Sequence, residues 1–175
     1  MEDLFLELGR DFARQFLKVY SGHRWPRLNK TVKFYSSKIW TEEMFKILDK
    51  VAGKMKLERK KEEMLRIDRA YYARNADSPI IAVEHDNGYK GIWDSEIPRL
   101  LAVNARLRVL ICYPPEKEHF LIQKMLKGKL NAEMREGHFN DEFLLILGKN
   151  EVYPRDKKAF NIYWYYTGVY EKKLQ

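Results

Sequence analysis

An α/β fold with a mixed central β-sheet flanked by helices is what the sequence predicts, and three observations carry that prediction. First, "PIIAVEHD" and "LRVLICY" are almost continuously apolar over strand length, the mark of central strands covered on both faces. Second, the "DSEIPRLLAVNA" between them has helical spacing, so a strand, a helix and a strand follow one another and the two strands should run parallel through a right-handed crossover. Third, helical periods precede this unit and further strand-like runs follow it, which implies extra C-terminal strands on the same sheet.

Taken in order, residues Asp3 to Tyr20 set Phe5, Leu8, Phe12, Phe16 and Val19 at three- and four-residue steps, an amphipathic helix. "SGHRWPRLNK" reads as a loop in which His23, Arg24, Trp25 and Arg27 mix cations with an aromatic ring. Such a loop suits a phosphate backbone and a stacked base, and equally a solvated loop anchored by its Trp. Thr41 is a candidate N-cap for a second helix ending at Ala52 before Gly53, with Met44, Leu48 and Val51 inward and Glu42 and Glu43 in its first turn. Met55, Leu57, Leu65 and Ile67 alternate with polar residues about an acidic turn at Glu62 and Glu63, which predicts a hairpin.

The next helix is capped by Asp94 or Ser95, tolerates Pro98 in its first turn, and sets Ile97, Leu100, Leu101 and Asn104 on one side. "PPEKEHFLIQKMLKGK" is a further helix opened by its prolines, and "EFLLILG" and "AFNIYWYYTGVY" are two more strands. Alternation puts two of Tyr163, Trp164, Tyr165 and Tyr166 on each sheet face, where they pack the core and rim or stack on bases. "KGKLNAEMREGHFND" has no sustained apolar period and is expected to be mobile.

With 175 residues the chain is expected to form one domain with a full core. One cysteine, Cys112, excludes an internal disulfide and fits a reducing, cytoplasmic setting; inside a strand it reads as an apolar filler rather than a nucleophile. His23, His85, His119 and His138 lack zinc-site spacing, no apolar run approaches a membrane span, and "MEDLFLELGRD", with acids and no positive n-region, does not read as a signal peptide. A formal charge of +8 makes the surface attractive to polyanions, nucleic acid first, although lysine-rich surfaces also serve solubility alone.

The chemistry-bearing residues gather where "PIIAVEHDN" ends. A strand repeats every two residues, so Glu84 and Asp86 share one face while Val83 and His85 take the other. If the strand carrying "LRIDRAYY" is adjacent, Asp68, on the face opposite Leu65 and Ile67, meets them across the sheet. Three carboxylates at a strand end form an oxygen-ligand cup suited to Mg2+ or Mn2+. The alternative is structural: Asp68 pairs with Arg66 or Arg69, and Glu84 and Asp86 bind loop amides around "NGYKG".

From about Thr41 to Tyr113 the chain resembles the PD-(D/E)XK, restriction-endonuclease-like nuclease superfamily. The resemblance lies in the order helix, three-strand meander, helix, strand, and in "RID", "IAVEHDN", "SEIPRLLAV" and "LRVLICY". It implies a metal-dependent nuclease that hydrolyses phosphodiester bonds of nucleic acid, DNA in the first instance. Asp68 matches the metal-binding aspartate and Glu84 the acid of the half-motif. Asp86 stands where the family has lysine, so the missing cation would have to come from Arg99 on the following helix or Lys90 in the loop before it, and Glu43 is a candidate further acid. Arginine stays charged and is suited to electrostatic stabilisation rather than proton transfer. On this reading Asp68, Glu84 and Asp86 hold the metal, Arg24, Trp25, Arg27 and Lys90 contact nucleic acid, and a homodimer reading a palindrome is one route to specificity. The competing function is a catalytically inactive nucleic-acid-binding or assembly module that keeps the fold. A third is attraction of an acidic protein partner.

Overall fold

A computed structural model of the chain describes residues 8–26, 36–60, 66–135, 141–149, 159–166 and 170–173. The expected positions Asp3, Phe5, Arg27, Glu62, Glu63, Leu65 and His138 lie outside them. The described elements are α1 (Leu8–Gly22), α2 (Ser37–Lys54), β1 (Glu58–Arg59), β2 (Arg69–Tyr72), β3 (Ile81–His85), α3 (Glu96–Ala102) and β4 (Leu107–Cys112). A short 3-10 turn at Glu116–Glu118 then leads into α4 (His119–Arg135), followed by β5 (Glu142–Gly148), β6 (Phe160–Tyr166) and β7 (Tyr170–Lys173).

The seven strands form one mixed sheet in simple sequence order. β1, β2 and β3 are an antiparallel meander, β3, β4 and β5 are parallel, and β6 and β7 return antiparallel. Phe12, Phe16 and Tyr20 of α1 and Met44, Ile47 and Val51 of α2 pack one face. Ile97 and Leu100 of α3 and Ile122, Leu126 and Leu130 of α4 pack the other. Both crossovers thus lie on one face, as two connections of the same hand require when a sheet grows in one direction. The predicted mixed α/β sheet with added C-terminal strands is present, and β3 and β4 are buried at every position. Among the described residues no helix is long and apolar enough to cross a membrane.

Several boundaries differ from the sequence reading. α2 begins four residues before Thr41, because the Ser36 hydroxyl accepts the Ile39 amide and supplies the cap; Gly53 stays inside the helix, which ends at Lys54. The hairpin pairs Glu58 with Tyr72 and Arg59 with Tyr71, so its second strand begins only at Arg69. Ile67 lies before that strand and packs in the same layer as Ala82, since the strand's period of two does not extend back past the bend at Asp68. The stretch "KGKLNAEMR", expected to be mobile, is helical: α4 continues to Arg135, with Leu126 and Leu130 buried on its inner face. "AFNIYWYYTGVY" holds two strands, β6 and β7. Tyr163 and Tyr165 pack on the α3/α4 side, and Trp164 and Tyr166 on the α1/α2 side, so this cluster is core rather than a base-stacking surface.

Gly148 closes β5 where no side chain fits: an added Cβ would lie 2.2 Å from Cδ1 of buried Tyr113. Gly148→Ala is expected to cost about 1–3 kcal/mol through overpacking, read as a lower urea midpoint with an unchanged slope; an unchanged midpoint would mean the Tyr113 ring moves freely.

Candidate active site at the end of strand β3

Glu84, the fourth residue of β3, points with Ala82 toward α3, and only 2% of its surface is exposed. In the β2/β3 ladder Arg69 faces Val83, so one step further along the register Asp68 comes opposite Glu84. Asp68 is held there by its Oδ2, which accepts the His85 backbone amide at 2.8 Å. α3 then brings Arg99 over the pair, its Nε 3.2 Å from Glu84 Oε1. That contact lacks the alignment of a hydrogen bond, so a buried carboxylate oxygen and a buried guanidinium nitrogen are both left without hydrogen-bond partners.

The electrostatics follow from this placement. Burial raises the Glu84 pKa first, and the charge of Asp68 and a hydrogen bond to it add to the rise; Arg99 pulls the other way, and the result is about 8. At neutral pH the Asp68–Glu84 pair therefore retains a proton. Arg99 is shared, since its Nη2 donates to Glu96 Oε1 at 2.9 Å.

Asp86 is half-buried, and its Oδ1 accepts the Gly88 amide at 2.9 Å in a local turn. Among the described residues no group of three or more His, Cys, Asp or Glu side chains is gathered as for a metal ion. The expected three-carboxylate cup is thus reduced to the Asp68–Glu84 pair, because an aspartate two residues before a glycine satisfies itself on its own loop. The pair still fits a hard cation. It offers oxygen donors, one of them, Glu84 Oε1, without a hydrogen bond, and magnesium characteristically takes one or two carboxylates with water and phosphate oxygens.

Of the structural alternative, only Asp86 on a loop amide is seen. Arg69 lies over the Phe45 ring at 3.7 Å with its Nε 3.5 Å from Asp49, and its Nη1 donates to the Asp68 backbone carbonyl at 2.7 Å, so it binds Asp68 through the main chain and not through the carboxylate. Lys90 is exposed in the loop before α3. His85 faces α2, where burial lowers its pKa to about 4 and its Nε2 contacts the Tyr113 hydroxyl at 3.0 Å; it is a packed residue, as its strand position implies. Cys112 is fully buried with its thiol pKa pushed well up by burial, so it is a filler and not a nucleophile.

Comparison of the chain with protein-family models, curated proteins and solved structures returns no match. Glu43 does not join the carboxylates: it lies on the opposite face of the sheet, buried between His23 Nε2, 2.6 Å from its Oε2, and the Lys46 ammonium. Burial alone would raise its pKa, but hydrogen bonds from Lys46 and His23 outweigh that and hold it below the usual range. Nor is Trp25 available to a base. It is buried, stacked on Trp40 with centroids 4.8 Å apart and edge-on to Tyr20, while Arg24 beside it is exposed.

Sequence reasoning overlooked Glu96. Its spacing of three residues before Arg99 on a helix was the available signal, since such pairs share a face.

Proposed function

We propose that the chain is a metal-dependent nuclease acting on phosphodiester bonds, with Asp68 and Glu84 as the metal-holding pair. The observation that carries this reading is the buried Glu84, facing half-buried Asp68 and sharing a proton with it, at the carboxyl end of a parallel strand, the edge where open α/β sheets put their ligands. The order α2, β1, β2, β3, α3, β4, with the meander antiparallel and β4 parallel to β3, supports a restriction-endonuclease-like core. Mg2+ or Mn2+ bound at the pair would supply Lewis-acid polarisation of the phosphate and a more acidic water.

The chain's own residues do the rest. Asp68 keeps the strand end in place through the His85 amide, and Glu84 gives up its proton as the ligand set forms. Arg99, permanently charged and already directed at Glu84, is placed to stabilise negative charge on the phosphorane-like transition state. Lys90, exposed on the adjoining loop, is a candidate phosphate contact.

The test is calorimetric titration with Mg2+ and Mn2+ in buffers of different ionisation enthalpy, with cleavage of single- and double-stranded DNA and RNA followed on the same samples. About one proton should be released per metal ion below pH 8. Glu84→Ala and Asp68→Asn should each cut cleavage by at least 100-fold while nucleic-acid binding persists. Arg99→Ala should lose about 100-fold, the scale of one transition-state donor.

One observation favours the inactive-module reading instead: in the resting chain Arg99 already lies 3.2 Å from Glu84 Oε1, where a metal cation would have to sit. If the parent protein binds nucleic acid yet neither binds metal nor cleaves, that reading replaces the first.

A further inference from the structure

On the other side of the sheet an open groove of about 480 Å³ runs between the C-terminal parts of α1 and α2. It is lined by Lys18, Gly22 and His23 from α1 and the residue after it, and by Lys50, Gly53 and Lys54 from α2. We propose that this groove binds the phosphate backbone of a nucleic-acid strand. The proposal shares with the preceding one only the class of ligand, and uses none of its residues.

Charge is the first argument. Lys18, Lys50 and Lys54 are exposed, and among the described residues no carboxylate lies within ion-pair distance of their ammonium groups. Lys46, Lys50 and Lys54 follow one another at four-residue steps, an arrangement in which like charges repel by about 0.2–0.5 kcal/mol per pair. Only Lys46 is neutralised, by Glu43. The helix dipole accounts for Lys54 in the last turn of α2, but not for Lys50 a turn earlier or for Lys18 on the other helix.

Shape is the second. A Cβ added at Gly22 or Gly53 would meet nothing within 4 Å, so neither glycine is required by packing inside the protein. A glycine inside a helix costs about 1 kcal/mol relative to alanine, and at Gly53 no internal contact offsets that cost. What the two glycines do is keep the groove open. Third, His23 is 93% buried at its wall with Nε2 held on Glu43 at 2.6 Å, so that wall of the groove is preformed.

The ligand is a strand rather than a lone phosphate because the cations are spread out. α2 rises ~6 Å from Lys50 to Lys54, and Lys18 stands across the groove on a second helix. Separate phosphates of one continuous backbone reach such positions together; the oxygens of a single phosphate do not.

The experiment is fluorescence anisotropy of labelled 20-nucleotide single strands and duplexes, in EDTA so that no cleavage intervenes, over a series of salt concentrations. The variant with Lys18, Lys50 and Lys54 all changed to Gln should bind at least tenfold more weakly. Its slope of log affinity against log salt should be shallower by about 2–3 units, one phosphate contact being lost per lysine. Gly53→Leu should raise the melting temperature through helix propensity while weakening binding at least threefold, a combination that a purely structural glycine would not give. Unchanged affinity and slope in the triple variant would overturn the proposal, as would a parent chain that binds no nucleic acid but does bind anionic phospholipid vesicles. Glu84→Ala run alongside keeps the two proposals apart: it should retain groove binding whether or not the parent cleaves.

Discussion

Glu84→Gln is expected to make the metal-free protein more stable as pH rises, although it removes a charge that faces an arginine. The folded pKa of Glu84 is about 8 against an ordinary value of 4.5, so between those values the native chain holds a proton that the unfolded chain has released. Stability must therefore fall as pH rises from about 4.5 to 8 and level off above. Each unit of displacement corresponds to about 1.4 kcal/mol. Gln imitates the protonated acid and abolishes the decline. The two proteins should melt together near pH 4 and separate steadily, the variant leading by on the order of 3 kcal/mol or more at pH 9, roughly 10 °C for a chain of this size. Thermal melts in EDTA across that range check it. Parallel curves would show that Arg99 holds Glu84 ionised throughout, and the shared proton would be lost from the account of the site.

Arg108→Met should produce the largest loss of stability, about 3–5 kcal/mol in urea unfolding. Arg108 sits in β4, 97% buried, and its guanidinium reaches three acceptors: Nε donates to the Leu100 carbonyl at 2.9 Å, Nη2 to the Val103 carbonyl at 2.7 Å, and Nη1 to Asp141 at 3.0 Å. Two of these lie at the end of α3, at the negative end of its dipole, where each carbonyl otherwise accepts only one backbone amide. Removing the arginine takes the buried donor from the Leu100 and Val103 carbonyls, leaving each with a single backbone amide, and deprives Asp141 of its guanidinium partner. Lysine cannot replace its fork, so Arg108→Lys should recover only part of the loss. A cost below 1 kcal/mol for Arg108→Met would mean that water reaches the end of α3. Because α3 also carries Arg99, the candidate site depends on this anchor.

Arg108 also shows where sequence reading stops. It occupies an apolar run that identifies β4 correctly, yet nothing local says that one strand residue caps the preceding helix. Periodicity and composition were enough for the order of elements, the buried character of β3 and β4, the inward faces of α1 and α2, the two-and-two division of Tyr163 to Tyr166, and Cys112 as filler. These are properties of short windows, because burial of one face imposes its period on neighbouring residues.

The sequence also placed Glu84 and Asp86 on one face and made Asp68 a candidate to join them. It could not settle which acids meet. The β2/β3 register set Asp68 opposite Glu84, and the Gly88 amide drew Asp86 into its own turn. Nor did it show that Trp25 is buried against Trp40, that Glu43 belongs to His23, or that lysines from two helices border one groove. Each of these depends on contacts between residues far apart in the chain. Burial then acts on the result: the same glutamate that would be an ordinary acid in water keeps its proton at neutral pH once Asp68 and the sheet surround it.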